Sequence, residues 1–163
     1  MMNLKDGKIV REWSTLLPEC QAEAPGLVEA IKGKLAAYEA PGLSWKEESA
    51  STGFLKGMMG KRRDFLIVRS EQFPEWLVCI GAKDYGRFLN VVWYFTTSPK
   101  FLNKMRSAAA GDIFVDDLDV FDQQDVNAFA AVTRMATVTA TEELAKKRDL
   151  DLERLDRQAR GLR

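Results

Sequence analysis

A short stretch of ionisable side chains near the middle of the chain has the residue types for acid–base chemistry. It lies between two apolar runs and contains Lys83, Asp84, Tyr85 and Arg87. A carboxylate beside a lysine and a tyrosine can exchange protons with a substrate if burial shifts their pKa values. Turns favour the same residue types for backbone reasons, and Gly86 tolerates a positive φ. The stretch is therefore predicted to be a hairpin loop, with catalysis as the alternative.

The complete absence of histidine bears on every catalytic hypothesis. It removes the commonest general base and the commonest metal ligand, together with all Ser-His-Asp and Cys-His arrangements. Enzymes that work through carboxylates, lysine or tyrosine stay open as a third hypothesis. We predict a chain without catalytic residues, cofactor or metal.

An aspartate-rich connection precedes the last long helical pattern. Hard cations bind several oxygen ligands, so such a cluster is a candidate calcium or magnesium site. The EF-hand spacing is absent, as are its central glycine and closing glutamate. A solvated connection that also caps a helix fits better. The residues are Asp112, Asp116, Asp117, Asp119, Asp122 and Asp125.

A basic loop with apolar residues is the first candidate surface for a partner. Between Gly53 and Arg63 it combines four apolar side chains with four cations on a glycine-punctuated backbone. This combination suits an acidic protein, an RNA backbone or a membrane interface, and methionine adapts to different surfaces. In the alternative, Phe54 and Leu55 enter the core and the cations are solvated or pair with Asp64. The candidate residues are Phe54, Leu55, Lys56, Met58, Met59, Lys61, Arg62 and Arg63.

A leucine seam in the charged C-terminal region is the second candidate surface. Leu152, Leu155, Ala159 and Leu162 follow the 3-4-3 spacing of a heptad. The charges around them have both signs, which is typical of a solvent-facing helix. The seam needs a partner surface, which is this domain, a second copy or another protein. Leu152 and Leu155 are therefore the partner-binding candidates here.

Three consecutive strands are predicted at the centre of the chain, over residues 62–69, 75–80 and 88–95. β-branched and aromatic residues dominate these runs, and their short connections require antiparallel pairing. Successive side chains of a strand point to opposite faces, and here apolar residues occupy both sets of alternating positions, which predicts that both faces of the sheet are covered. Aromatic side chains on such a sheet can stack nucleic-acid bases, but core packing is favoured. These side chains are Trp76, Phe88, Trp93, Tyr94 and Phe95.

Helices are predicted on both sides of this strand block. A helical stripe over 9–17 ends at Pro18, and a second helix begins near Pro25 and stops at 41–42. The polar segment 44–52 alternates enough to form an edge strand. A long helix with small buried side chains follows from about Asp122 as its N-cap. The pattern predicts an α+β fold, with an antiparallel sheet of three to five strands, N-terminal helices and a long C-terminal helix.

Composition predicts one soluble domain. The 163 residues are 46% hydrophobic and 29% charged, and 24 basic residues balance 24 acidic ones, so no global charge favours nucleic acid. We expect an α+β domain over 1–145 and a charged helical extension over 146–163. Cys20 and Cys79 are too few for a disulfide framework and are expected as buried free thiols. With no secretory signal and no apolar run of ~20 residues, a cytoplasmic location is predicted.

Two functional hypotheses lead. The first is a non-catalytic interaction protein that binds a macromolecular partner or itself through the basic loop and the charged C-terminal helix. Nucleic-acid binding is a variant of it and would show steep salt dependence. The second is a small-molecule or lipid carrier with an apolar cavity between the sheet and the long helix.

Overall fold

A computed structural model describes residues 2–3, 9–51, 62–97 and 118–151 of the chain. These residues form six strands and two helices. The strands are β1 (Met2–Asn3), β2 (Ile9–Pro18), β3 (Leu43–Ser51), β4 (Arg62–Ser70), β5 (Trp76–Tyr85) and β6 (Phe88–Thr97). The helices are α1 (Ala24–Ala37) and α2 (Val120–Lys147).

The strands form one sheet in the order β1-β3-β4-β5-β6-β2. Five of them pair antiparallel, and the two-residue β1 joins the β3 edge in parallel. The predicted α+β fold with an antiparallel sheet and a long C-terminal helix is confirmed. The three central runs and the polar segment after α1 are all strands.

The predicted N-terminal helix over 9–17 is wrong, because this segment is β2 and α1 is the one N-terminal helix of the described residues. β2 pairs with β6 along its whole length. In this pairing Trp13 and Leu17 face the helices, while Glu12 and Ser14 face away. The same residues satisfy a helical and a strand periodicity, and the neighbouring strand decides between them because β6 would otherwise expose its backbone edge.

Both helices pack on one face of the sheet, which we call the helix face. Leu27, Ile31 and Leu35 of α1 are buried there, as the helical spacing predicts. Large aromatic side chains fill the layer between the sheet and α2: Trp76 stacks on Phe95 at 5.1 Å between ring centroids. The rest of this core includes Leu66, Val68, Val78, Ile80, Leu89, Val91, Trp93 and Phe129.

Helix α2 approaches the sheet and α1 through small residues. Ala136 and Ala140 are buried, and Thr133 accepts a 3.2 Å hydrogen bond from the indole Nε1 of Trp93. The helix begins earlier than predicted: Asp119, and not Asp122, is the N-cap, and its carboxylate accepts from two backbone N–H groups. A short side chain at each contact lets α2 lie close enough to cover the aromatic layer.

Candidate functional site

The sheet is split between its two central strands. β4 and β5 pair over a short stretch only, which runs from Leu66 opposite Ile80 to Arg69 opposite Leu77. Beyond Leu66 and Ile80 both chains remain extended, since β4 begins at Arg62 and β5 continues to Tyr85. Each chain stays paired with its outer neighbour, β3 or β6, over this length. The two hairpins therefore separate and leave a cleft between them.

Continued pairing of β4 and β5 would bring like charges together. Continuing the β4–β5 register past Leu66–Ile80 would place Phe65 opposite Gly81 and Arg63 opposite Lys83. Two cations directly opposite each other on adjacent strands destabilise the pair. Arg63 and Lys83 both project from the sheet face opposite to the helix face, which we call the second face. Their repulsion favours the separated strands.

The cleft has a volume of about 590 Å³ and a floor of apolar groups. Its closed end is formed where the ring of Phe65 covers Gly81. A Cβ at Gly81 would lie 2.9 Å from Phe65 Cε1 and 2.9 Å from Val92 Cγ2, so the ring occupies the space that any larger residue needs. Phe65 is 8% exposed and belongs to an apolar cluster on the second face with Ile67 and Leu77.

Hydrogen-bond donors surround this floor. Arg63, Lys83 and Asn90 line the cleft with Tyr85, and Asn90 lies directly across from Lys83 in the β5–β6 ladder. Within the part of the chain that the structure describes, neither Arg63 nor Lys83 forms an ion pair or a side-chain hydrogen bond. Tyr85 is 73% exposed, so its ring is accessible at the mouth. The arrangement offers two cations and an amide to a ligand that supplies acceptor oxygens.

Two aspartates, Asp64 and Asp84, also line the cleft, and both accept hydrogen bonds from neighbouring elements. Asp64 accepts a hydrogen bond from the hydroxyl of Ser49 on β3. Asp84 accepts a 3.0 Å hydrogen bond from the backbone N–H of Ala22, in the turn between β2 and α1. Because side chains alternate across a strand, both carboxylates leave the sheet on the side opposite to Arg63 and Lys83. They do not neutralise the cation pair by direct contact.

The predicted hairpin loop is present and is shorter than expected. β5 runs through Tyr85, so Gly86, with φ of 62°, and Arg87 alone make the turn. Lys83, Asp84 and Tyr85 all line the cleft, and the Asp84 carboxylate accepts a hydrogen bond from the Ala22 backbone N–H. Arg87 forms an ion pair with Glu19 at the end of β2. Catalysis by these side chains stays an alternative hypothesis.

Most of the predicted partner-binding residues lie outside the described residues. This holds for Phe54, Leu55, Lys56, Met58, Met59 and Lys61 of the basic loop, and for Leu152 and Leu155. The backbone of Arg62 begins β4, and Arg63 is exposed and lines the cleft. The predicted pairing of a loop cation with Asp64 is not seen for Arg63 among these residues. Of the acidic connection, Asp112, Asp116 and Asp117 also lie outside.

The two cysteines are buried free thiols, as predicted. Burial raises the pKa of the Cys79 thiol to about 12, with smaller opposing effects of Arg69 and Glu48. Burial, and after it the charge of Glu12, also raise the pKa of Tyr94 on the second face, and Arg63 acts against that rise. Cys79 itself is too basic and too enclosed to act as a nucleophile.

The residues that complete the cleft, Phe65, Gly81, Asn90 and Val92, were not among the candidates predicted from sequence. One signal was present in the sequence. Along their strands, Arg63 and Lys83 fall on the same alternating positions as neighbouring apolar residues, so both cations could be assigned to one face of the sheet. Their position opposite each other required the β4–β5 register, which depends on residues 71–75 and is not encoded in either strand alone.

Comparisons give no relative from which a role can be transferred. No protein family, curated protein or solved structure matches the chain. Over the described ranges, no helix combines the length and the hydropathy needed to cross a membrane. The same ranges contain no group of three or more histidine, cysteine or acidic side chains placed to hold a metal ion.

Proposed function

We propose that this chain is a non-catalytic binding protein that holds the anionic group of a ligand in the cleft between β4 and β5. The observation that carries the proposal is that Arg63 and Lys83 line the same cleft and form no ion pair or side-chain hydrogen bond among the described residues. The two carboxylates of the lining, Asp64 and Asp84, accept hydrogen bonds from Ser49 and from the Ala22 backbone. An anion placed between the two cations replaces a repulsion by two attractions. Hydrogen bonds to charged groups contribute about 1.5–3 kcal/mol each when they form.

Four other lining residues suit the uncharged part of such a ligand. Phe65 and Val92 offer an apolar floor, and Asn90 and Tyr85 add directional polar groups. Sites for small ligands are concave and mostly apolar with a few placed polar groups, and span roughly 300–1,000 Å³. The volume of this cleft, about 590 Å³, lies within that range.

This proposal keeps non-catalytic binding, which the sequence predicts, and changes both the surface and the ligand from a macromolecular partner to an anionic group. The sequence placed partner binding on the basic loop and the C-terminal helix, and those surfaces stay predictions. Arg63 belongs to both the predicted loop and the cleft. The carrier hypothesis, with a cavity between the sheet and the long helix, also stays a prediction; Trp76, Phe95 and Phe129 pack against each other in that layer. Two buried free thiols support the cytoplasm as the location.

A titration with two simple anions tests the proposal. Octanoate offers a carboxylate with an apolar tail, and inorganic phosphate offers charge alone. Nitrogen-15 labelled protein is titrated with each, and the backbone amide shifts of Gly81, Ala82 and Asn90 are followed. We expect saturable shifts at these amides with octanoate, weakened by added salt because the attraction is electrostatic.

Matched variants separate this site from general charge effects. Arg63→Gln and Lys83→Gln each remove one cleft cation, and each is expected to weaken octanoate binding by about tenfold. Arg134→Gln removes an exposed cation of α2 outside the cleft and should leave the affinity unchanged. Absence of saturable shifts with either anion, or equal effects of all three variants, would refute the proposal.

A further inference from the structure

We infer that the anionic group is the C-terminal carboxylate of a polypeptide whose last residues extend along the split strands. The inference rests on the proposed function and specifies its ligand. It follows from three features of the cleft: main-chain groups of β5 that do not pair with β4, a shallow closed end and an apolar floor beside the cations.

The walls of the cleft are strand edges. In a hairpin with a two-residue turn, the two residues that flank the turn hydrogen-bond to each other through their backbones; here these are Tyr85 and Phe88. Along β5, the backbone N–H and C=O groups of successive residues then point alternately toward β6 and toward β4. The N–H and C=O groups of Ala82 and Asp84 are consequently directed toward β4, with which they do not pair. A peptide main chain has the matching donors and acceptors, and extended peptides commonly add to such edges.

The depth of the cleft favours the end of a chain over its middle. Phe65 closes the split over Gly81, so the open part of β5 is Ala82–Tyr85, or roughly 13 Å at 3.3 Å per residue. A continuous strand passing through would need β4 and β5 to remain apart beyond this point, where they are paired. A chain that ends inside the cleft meets no such obstacle.

The cations lie at the depth where that chain would end. Arg63 and Lys83 are the next residues on this face from Phe65 and Gly81 toward the mouth of the cleft. A terminal carboxylate that enters from the mouth therefore reaches both cations. The guanidinium of Arg63 can donate two parallel hydrogen bonds to a carboxylate. Beside them, Phe65 and Val92 form an apolar surface for the last side chain of the ligand. We therefore expect a C-terminal residue that is apolar.

Three peptide pools compared with octanoate test this inference on the full-length protein. The first pool contains pentapeptides that end in leucine, valine or phenylalanine with a free carboxylate. The second has the same sequences with a C-terminal amide. The third has the amide and a central glutamate, which places the negative charge inside the chain. Binding is measured by fluorescence anisotropy, and contacts by the amide shifts of Ala82 and Asp84.

The free-acid pool is expected to bind about tenfold or more tightly than both amide pools, because only it places a charge at the chain end. Methylation of the penultimate backbone nitrogen in the best free-acid peptide should weaken binding by a similar factor. Lys83→Gln should reduce the preference for acid over amide, whereas Arg134→Gln should not.

The outcomes distinguish this inference from the proposed function. If octanoate binds in the cleft while the free-acid peptides do not, the ligand is a small organic anion and the inference is wrong. It is equally wrong if the central-glutamate pool binds as tightly as the free acids, or if backbone methylation has no effect. If no anion or peptide binds, the proposed function fails as well.

Discussion

Gly81 is the residue on which the shape of the cleft depends most. The Phe65 ring lies directly over it, and a methyl group there would contact both Phe65 and Val92 at 2.9 Å. Such distances force a neighbouring side chain to move, and overpacking of this kind costs about 1–3 kcal/mol. A glycine inside a strand is otherwise unfavourable, so its presence here is explained by the close approach of the ring.

We expect Gly81→Ala to lower the free energy of unfolding by about 1–3 kcal/mol in urea denaturation. Introducing it together with Phe65→Leu, which shortens the overlying side chain, should recover part of that loss. Gly33→Ala is the matched control: Gly33 lies within α1 with no atom near its Cβ position, so alanine should stabilise by about 0.5–1 kcal/mol. If Gly81→Ala is neutral, the ring does not cover this position.

Glu48 on the second face supplies a pH-dependent contribution to stability. A hydrogen bond from Lys46, together with Arg69 at 3.6 Å, lowers the pKa of the Glu48 carboxyl below 4.5. A lowered folded-state pKa stabilises the protein above the unfolded-state pKa, and this stabilisation is lost as the pH falls through the folded value.

Glu48→Gln is therefore expected to destabilise the protein by about 0.5 kcal/mol near neutral pH, the scale of a partly exposed ion pair. In acid near pH 3 the difference from the parent should shrink, because the parent carboxyl becomes protonated too. Urea unfolding at both pH values measures this. Glu142→Gln, which removes an exposed carboxylate of α2, is the matched control. An equal Glu48→Gln effect at both pH values would contradict the assigned cause.

At the scale of elements, the β5–β6 hairpin is anchored to the turn between β2 and α1. Asp84 accepts from the Ala22 backbone, Arg87 pairs with Glu19, and Arg148 after α2 pairs with Glu23. The turn contains two residues other than glycine with positive φ, Glu19 at 55° and Ala22 at 68°. The anchoring contacts hold this strained turn and fix the hairpin that forms one wall of the cleft.

Substitutions at the two ends of the Asp84–Ala22 hydrogen bond should act in opposite directions. Asp84→Ala removes the acceptor and should destabilise by about 1 kcal/mol, while Asp84→Asn keeps an oxygen and should cost less. Ala22→Gly relieves a left-handed backbone conformation that costs about 1–2 kcal/mol for alanine. Glycine also raises the entropy of the unfolded chain, which costs about 0.5–1 kcal/mol of stability, so the substitution should be mildly stabilising. Chemical denaturation measures all three, and a destabilising Ala22→Gly would contradict the strain.

The elements also show what sequence could predict. β4, β5 and β6 were predictable because β-branched and aromatic residues cluster there between short turns. α1 was predictable from the spacing of Leu27, Ile31 and Leu35. β2 was missed because its apolar residues fit both periodicities and only the pairing with β6 decides. The cleft was missed because it arises from register between strands, and register is a property of the assembled sheet.

At the scale of the whole molecule, the two faces of the sheet have different roles. The helix face holds the aromatic layer and both described helices, so most of the burial that stabilises the fold lies there. The second face carries a smaller apolar cluster, and beside it the strands separate. The strands separate only beyond Leu66 and Ile80, which are still paired and belong to the main core.

The measurement that most directly tests this account is octanoate binding to the charge-reversal variant Arg63→Glu, with Arg134→Glu as the control. A glutamate at 63 would face Lys83 as an opposite charge, which stabilises a cross-strand pair by about 0.2–1 kcal/mol. We predict that Arg63→Glu abolishes octanoate shifts at Gly81 and Asn90 while unfolding at a slightly higher urea concentration. Unchanged octanoate affinity in Arg63→Glu would contradict the claim that the facing cations form an anion site.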